Sequence, residues 1–261
     1  MFVVDTITRR LKRGCETMAY PRGAGPALPD RYVGALEVDV TRCVELCTQC
    51  IPVCPTAAIT RPRPGAVELD MGRCTFCAAC VETCPEKAIR MTAEHRQAVR
   101  RRSDLVVGGA AGERLRSAEA LGEELRTLLG RSLKLRQVSA GGCNACEADT
   151  NVLGTVGWDV GRFGIQFVAS PRHADGLLIT GPVTKGMELA LRKTWEAVPE
   201  PRIVIAVGAC AISGGPFVGH REVNQGADTV VPVDLYVPGC PPHPLTILDG
   251  ILRLLGRVGA T

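Results

Sequence analysis

The sequence predicts two units of different class in one chain: an α+β unit, then an α/β unit with a parallel sheet. Three observations predict this. A cysteine-rich stretch occurs twice, from Cys43 to Ile59 and from Cys74 to Ile89. Beyond Leu133, short apolar runs alternate with helical patterns, as in parallel strands joined by crossover helices. The 13 cysteines sort into three groups of four, with Cys15 left over. The boundaries that follow are 1–30 for an N-terminal docking segment and 31–93 for the repeat. Residues 94–131 form a charged linker and helix, and 132–261 the α/β unit.

Composition narrows the function. A hydrophobic content of 46% is enough for a packed core, and Gly 29 with Pro 18 fits a chain rich in turns. A net charge of +4 is too weak to argue for nucleic acid. No apolar run approaches the roughly 20 residues that span a bilayer. Thr8-Arg9-Arg10-Leu11-Lys12 superficially resembles a twin-arginine export signal, but the apolar segment such a signal needs does not follow. The start reads instead as a short basic amphipathic helix with Phe2, Val3 and Ile7 to one side, docking on a partner or a membrane surface.

The first eight grouped cysteines are Cys43, Cys47, Cys50, Cys54, Cys74, Cys77, Cys80 and Cys84. Disulfide frameworks suit small secreted chains, and zinc is the stronger rival because it also uses C-x-x-C pairs. Cys54 and Cys84, however, are each followed by proline. The run C-x2-C-x2-C-x3-C-P is the bacterial ferredoxin pattern, in which four thiolates hold one cube and the fourth cysteine of each run crosses to the other cluster. That pairs Cys43, Cys47 and Cys50 with Cys84, and Cys74, Cys77 and Cys80 with Cys54. Each proline turns the chain after the crossing cysteine, and Ile59 and Ile89 open short strands. The second run matches fully. In the first, three residues, Val44-Glu45-Leu46, separate Cys43 from Cys47 where two are usual. A one-residue bulge still delivers the Cys43 sulfur; the alternative is a three-iron cluster or a different fourth ligand. With Tyr20-Pro21 and Pro29–Gly34, this stretch resembles the eight-iron ferredoxin subunit of respiratory complex I and of energy-converting hydrogenases. The resemblance implies an α+β ferredoxin-like domain with two 4Fe–4S clusters.

Between the units the cysteines stop. Arg100-Arg101-Arg102 reads as a solvated stretch, and the leucines from Leu115 to Leu129 suggest an amphipathic helix over 113–129. Gly108, Gly109 and Gly112 do not fit a phosphate loop and read as a flexible turn.

In the last unit the strand candidates are Leu133–Val138, Gly164–Ala169, Gly176–Thr180, Arg202–Val207 and Asp234–Val237, with helices over Thr184–Ala197 and Pro244–Leu255. Three strands run into cysteine: Val138 towards Cys143, Val207 towards Cys210 and Val237 towards Cys240. Carboxyl ends of parallel strands share one edge, where such folds bind ligands, so Cys143, Cys146, Cys210 and Cys240 are expected to converge. The alternative reading of Cys210 and Cys240 is two ordinary buried thiols. The segments Gly142-Cys143-Asn144-Ala145-Cys146-Glu147, Thr180-Gly181-Pro182-Val183-Thr184, Gly208-Ala209-Cys210-Ala211 and Pro238-Gly239-Cys240-Pro241-Pro242 closely resemble the proximal-cluster subunit shared by nickel–iron hydrogenases and complex I. The resemblance implies a flavodoxin-like α/β domain and a third 4Fe–4S cluster. Complex I places two adjacent cysteines at the first motif, whereas hydrogenase small subunits place C-x-x-C there, as here. The family usually has glycine where Ala145 sits and often arginine where His243 sits.

The resemblances together imply a fusion of two electron-transfer subunits, relaying electrons through three 4Fe–4S clusters in an energy-converting, formate-hydrogenlyase-like nickel–iron hydrogenase. The implied partners are a large nickel–iron catalytic subunit, further and membrane-embedded subunits, and a soluble or quinone redox partner. The implied location is the cytoplasmic face of the membrane. No catalytic residue is expected in this chain. Glu147 and Asp149 are candidates for proton relay, or else face solvent or the partner. The docking face is expected at Ala145, Gly181, Pro182 and Val183. The other readings are a complex-I-like quinone or ferredoxin oxidoreductase module, and a stand-alone electron carrier or redox sensor.

Overall fold

The computed structural model describes residues 2–63, 66–109, 115 and 117–259. An exposed helix, α1 (Phe2–Arg13), leads the chain. The first unit follows. Its strands β1 (Leu36–Val38), β2 (Ile59–Arg63), β3 (Ala66–Asp70), β4 (Ile89–Met91) and β5 (Val106–Gly108) surround a single helical turn, α2 (Ala79–Thr83). β1 pairs antiparallel with β4, Val38 opposite Ile89. β3 lies between β2 and β5, antiparallel to both. Ile59 and Ile89 open β2 and β4 as the repeat predicts, and both are buried.

The second unit contains α3 (Glu123–Leu129), β6 (Leu133–Ser139), α4 (Ala145–Val152), β7 (Ile165–Phe167), β8 (Gly176–Thr180), α5 (Lys185–Glu196), β9 (Ile203–Val207), α6 (Ala209–Ser213), β10 (Leu235–Val237) and α7 (Pro244–Leu254). The sheet order is β10-β9-β8-β6-β7 and every pairing is parallel. Counted from β6, that is the 2-1-3-4-5 order of flavodoxin-like folds, with its switch point between β6 and β8. The central strands β8 and β9 are buried along their whole length. Such strands read as continuous apolar runs, not alternating ones.

The stretch between the units is not a solvated linker. Its arginine triplet is divided. Arg102 grips Asp70 with both guanidinium nitrogens, at 2.8 and 2.6 Å, and Arg100 donates to Ala120 O; Arg101 is the exposed member. Val99 exchanges backbone hydrogen bonds of 3.0 and 2.8 Å with Tyr236, and Leu121 N donates to Leu254 O. Gly108 ends β5, and the Gly109 N–H donates to Val67 O, so this is a strand terminus and not a free turn. Among the described residues of the expected helix, Glu123–Leu129 alone is helical; residues 117–122 have no regular structure, with Ala118 N donating to Ala98 O, and 110–114 and 116 lie outside the described residues.

The segment before the first unit is also fixed to the second. Met18 N donates to Gly157 O, and Arg162 donates to the carbonyls of Met18 and Tyr20. The Tyr20 hydroxyl donates to Asp249, whose other oxygen accepts from Arg253 at 2.8 Å. Burial, then the bond to Asp249, pushes the Tyr20 phenol well above its usual range. Asp249 and Arg253 are fully enclosed, at 0% and 2% exposure. Removing one partner of such a pair strands the other charge in a low-dielectric interior. We therefore expect Asp249→Ala to cost about 3–5 kcal/mol, read as a lowered midpoint in urea unfolding. A loss below about 1 kcal/mol would show the pair to be effectively solvated.

Candidate functional site

Three sets of cysteines occupy three places. All thirteen thiols are free, so no disulfide ties them together. The first cavity is lined by Cys43, Cys47, Cys50 and Cys84, with Val38, Val67 and Ile89. The second is lined by Cys54, Cys74, Cys77 and Cys80, with Leu36, Ile59, Leu69 and Met91. Cys84 thus lines the cavity of the first run and Cys54 that of the second. Cys15 stands apart, exposed.

The two halves of the repeat deliver their crossing sulfurs by the same local device. After Cys54 the chain turns through Ala57 at φ 49°, and after Cys84 through Lys87 at φ 50°. The turns aim the Ala58 N–H at Cys54 Sγ, 3.2 Å, and the Ala88 N–H at Cys84 Sγ, 3.3 Å. In the second run the Phe76 N–H also donates to Cys74 Sγ at 3.2 Å. Amide donors of this kind stabilise thiolate and set cluster potentials.

The third set gathers at the carboxyl edge of the parallel sheet. Cys143 and Cys146 follow β6, Cys210 follows β9 and Cys240 follows β10. Gly208, at φ 91°, leaves room beside Cys146: a Cβ there would stand 2.6 Å from its Sγ. Cys143 and Cys240 are exposed, Cys146 and Cys210 partly buried. Glu147 is buried behind them. Its Oε1 accepts from Ser139 Oγ at 2.6 Å and from Thr180 Oγ1 at 2.7 Å, so it joins the ends of β6 and β8 to the first turn of α4. Burial pushes this carboxyl up, but the two hydroxyl donors outweigh it and hold it below its usual range. Glu147 therefore faces neither solvent nor a partner; it positions the helix that carries Cys146.

The chemistry of the donor sets suits iron–sulfur clusters. Burial first, then the neighbouring thiolates, push Cys74 up to about 12 and Cys80 to about 11. Burial and then Cys240 and Cys143 push Cys210 up to about 11. Four sulfurs so crowded ionise together only around a strongly cationic group, since metal coordination deprotonates thiols outright. Among the described residues no three His, Cys, Asp or Glu converge on a point as the ligands of one ion would; the eight thiols of the first unit ring two cavities.

One expectation is corrected at this edge. Val183 is completely buried, and Gly181 and Pro182 are buried too, so this loop is not a docking face. The Val183 carbonyl accepts from both Asn224 nitrogens, at 3.1 and 2.9 Å, and a Cβ on Gly181 would meet Gly142 N at 2.5 Å. The loops after β6 and β8 thus pack backbone against backbone, which no single-sequence pattern reveals. His243, where the family often has arginine, caps α7 by accepting from Leu245 N at 3.1 Å and packs edge-on against Tyr32 and Trp158.

Comparison with known proteins agrees with this geometry. Residues 143–254 match the family described as NADH ubiquinone oxidoreductase, 20 Kd subunit, and residues 42–89 match the 4Fe-4S dicluster domain. The probable membrane-bound hydrogenase subunit mbhJ of Pyrococcus furiosus is 42% identical over 135 residues, 52% of this chain and 81% of that protein. Formate hydrogenlyase subunit 7 of Escherichia coli is 46% identical over 126 residues, 48% of this chain and 49% of that protein. An NADH-quinone oxidoreductase subunit of Desulfovibrio desulfuricans is 48% identical over 113 residues, 43% of this chain and 61% of that protein. The chain thus spans about half to two thirds of the length of the last two.

The buried position of Val183 gives a direct expectation. Val183→Asp places an unpaired charge in the core and will lower stability by at least about 3 kcal/mol, measured by urea unfolding of the purified chain. Wild-type stability in that variant would return Val183 to the surface.

Proposed function

The chain belongs to the family of the NADH ubiquinone oxidoreductase 20 Kd subunit, and from that premise we propose that it is an electron-transfer subunit of an energy-converting, nickel–iron hydrogenase-type complex. The observation that carries the reading is the gathering of twelve thiols into three sets of four, two in a ferredoxin-like unit and one at the sheet edge. Cys43, Cys47, Cys50 and Cys84 hold the first 4Fe–4S cluster, and Cys54, Cys74, Cys77 and Cys80 the second. Cys143, Cys146, Cys210 and Cys240 hold the third. Bound there, such clusters supply one-electron transfer. The chain fuses two subunits that are separate elsewhere; the ferredoxin-like part runs past the expected boundary at residue 93, because β5 (Val106–Gly108) completes its sheet.

The protein's own residues do three things in this reading. The Ala58, Ala88 and Phe76 amides stabilise thiolate negative charge. Apolar walls at Val38, Ile59, Leu69 and Ile89 keep water from the two ferredoxin-domain sites. Glu147 fixes α4 so that Cys146 stays aimed at the edge. Gly141 to Asn144, Cys240 and Pro241 are exposed, so the third site is open on one side. We place the large catalytic subunit there, sealing that opening, in place of the buried 181–183 loop. The two other sites lead away from it towards a soluble or quinone redox partner. The described residues contain no helix long and apolar enough to cross a membrane; attachment to the cytoplasmic membrane face is through partner subunits, with the exposed Val3, Val4, Ile7 and Leu11 of α1 available to them. A complex-I-like quinone oxidoreductase module is the second reading, favoured by the NADH-quinone oxidoreductase relative. The C-x-x-C at Cys143 and Cys146 is what favours the hydrogenase. Purifying the native complex and assaying hydrogen-dependent dye reduction decides between them: activity with a nickel-containing large subunit is expected, and a nickel-free, NADH- or ferredoxin-dependent complex would overturn the hydrogenase reading.

We expect about twelve iron and twelve labile sulfide per chain after anaerobic reconstitution. Saturation at eight would remove one cluster. Cys15→Ser will keep the full iron content. Cys240→Ser will lose the third cluster and leave both ferredoxin-domain EPR signals; loss of all three from a folded chain would refute the separate ligand sets.

A further inference from the structure

The two ferredoxin-domain sites are related by an internal repeat, yet they are not chemically equivalent, and the difference is one cation. Two residues beyond the strand-opening isoleucine, the first half carries Arg61 where the second carries Met91. Met91 lines the cavity of Cys54, Cys74, Cys77 and Cys80. Arg61 reaches the other set. Its Nη2 donates to Cys43 Sγ at 3.4 Å and to Cys47 O, and its Nη1 donates to Glu45 O at 2.7 Å. The same Nη2 lies 3.5 Å from Val44 O. Arg61 Nε is buried and meets no acceptor among the described residues.

Two of these carbonyls, Val44 O and Glu45 O, belong to the insert that spoils the regular spacing, and the third, Cys47 O, closes it. Leu46 within it is 85% exposed, so the extra length bulges outward. Arg61 grips the bulge from inside by its backbone. It sits where β2 changes register against β3, between Thr60 and Arg63, and such irregularities re-aim a side chain. The guanidinium is planar, permanently charged and presents several donors in a fixed fork. One such group thus meets both needs of an irregular site: carbonyls to hold and a thiolate to neutralise.

We propose that Arg61 is the positioning and tuning residue of the Cys43, Cys47, Cys50 and Cys84 site. It holds the insert so that Cys43 stays a ligand, and its charge beside the Cys43 sulfur favours the reduced, more negative cluster. The site with Arg61 then has the higher potential of the two, and the site with Met91 the lower. This rests on the reading that these four thiols hold a 4Fe–4S cluster, which the iron content of the wild-type chain tests separately.

The experiment is an EPR-monitored redox titration of the reconstituted full chain and of Arg61→Met and Arg61→Lys. Arg61→Met gives the first site the residue of the second. It is expected to shift one ferredoxin-domain midpoint downward by at least tenfold in reduction equilibrium, about 59 mV for one electron. The signal that moves must be the one altered by Cys43→Ser, and the Cys54, Cys74, Cys77 and Cys80 signal must stay in place. Arg61→Lys keeps the charge without the fork and is expected to recover most of the shift. If Arg61→Met instead loses one iron from that site, giving a three-iron signal absent from Arg61→Lys, the positioning role is supported directly. A wild-type chain with about twelve iron, together with an unmoved midpoint and full iron in Arg61→Met, overturns the proposal and leaves the cluster assignment intact. A shift as large in Arg61→Lys as in Arg61→Met overturns the role of charge.

Discussion

Crowding four thiols into a buried space is the constraint on which the rest of this structure depends. Burial and mutual repulsion both oppose ionisation, as the raised Cys74, Cys80 and Cys210 show. The backbone must supply what solvent would have supplied. It does so with short turns rather than long elements: a helix or strand spends its N–H groups on its own hydrogen bonds, whereas a turn leaves them free to point at sulfur. Hence the paired positive-φ residues Ala57 and Lys87, each placed so that the next N–H faces a crossing cysteine. A side chain in that conformation is uncommon and costs free energy; the repeat accepts the cost twice at the same position.

The two units are also tied to each other. The structure joins them by backbone as well as by apolar packing. Val99 pairs with Tyr236, in the last strand of the parallel sheet, and Ser213 Oγ donates to Gly72 O at 3.0 Å across the junction. Cys50 and Cys74 of the first unit belong to the same apolar cluster as Ile179 and Ile212 of the second. Tyr20 locks onto the enclosed Asp249–Arg253 pair. Domains in one chain move by default unless their interface is large and apolar, and here the interface continues the core.

Much of this was legible in the sequence, because the informative signals were local. The repeat, the C-x-x-C spacings and the prolines after Cys54 and Cys84 fix turns within a few residues of themselves. The apolar runs of β8 and β9 are long enough to separate a buried parallel strand from a half-exposed one. What escaped was set by contacts remote in sequence. The Arg100–Arg102 triplet has the composition of a solvated stretch, but Arg102 reaches Asp70 thirty-two residues away. Gly181-Pro182-Val183 has the composition of an exposed loop, but the loop after β6 covers it. Glu147 beside a ligand motif suggested proton chemistry; two hydroxyls at the ends of different strands make it a brace.

The irregular spacing at Cys43 belongs to the same class of problem and shows what pattern reading leaves out. Counting residues measures contour length, while ligation depends on where the sulfur ends up. An extra residue is harmless if something absorbs it, and the absorbing group lies on another strand. Arg61 is inconspicuous in the sequence, an arginine between Thr60 and Pro62 in a polar hairpin. Only the fold brings it under the insert and beside the sulfur. A departure from a ligand motif is therefore better taken as a prompt to look for a compensating contact than as a lost ligand. An internal repeat sharpens the search, because the regular half supplies the position to compare. Here that position holds Met91 at one site and a fixed positive charge at the other. Two copies of one unit, alike in their cysteines, thus come to differ in the field those sulfurs feel.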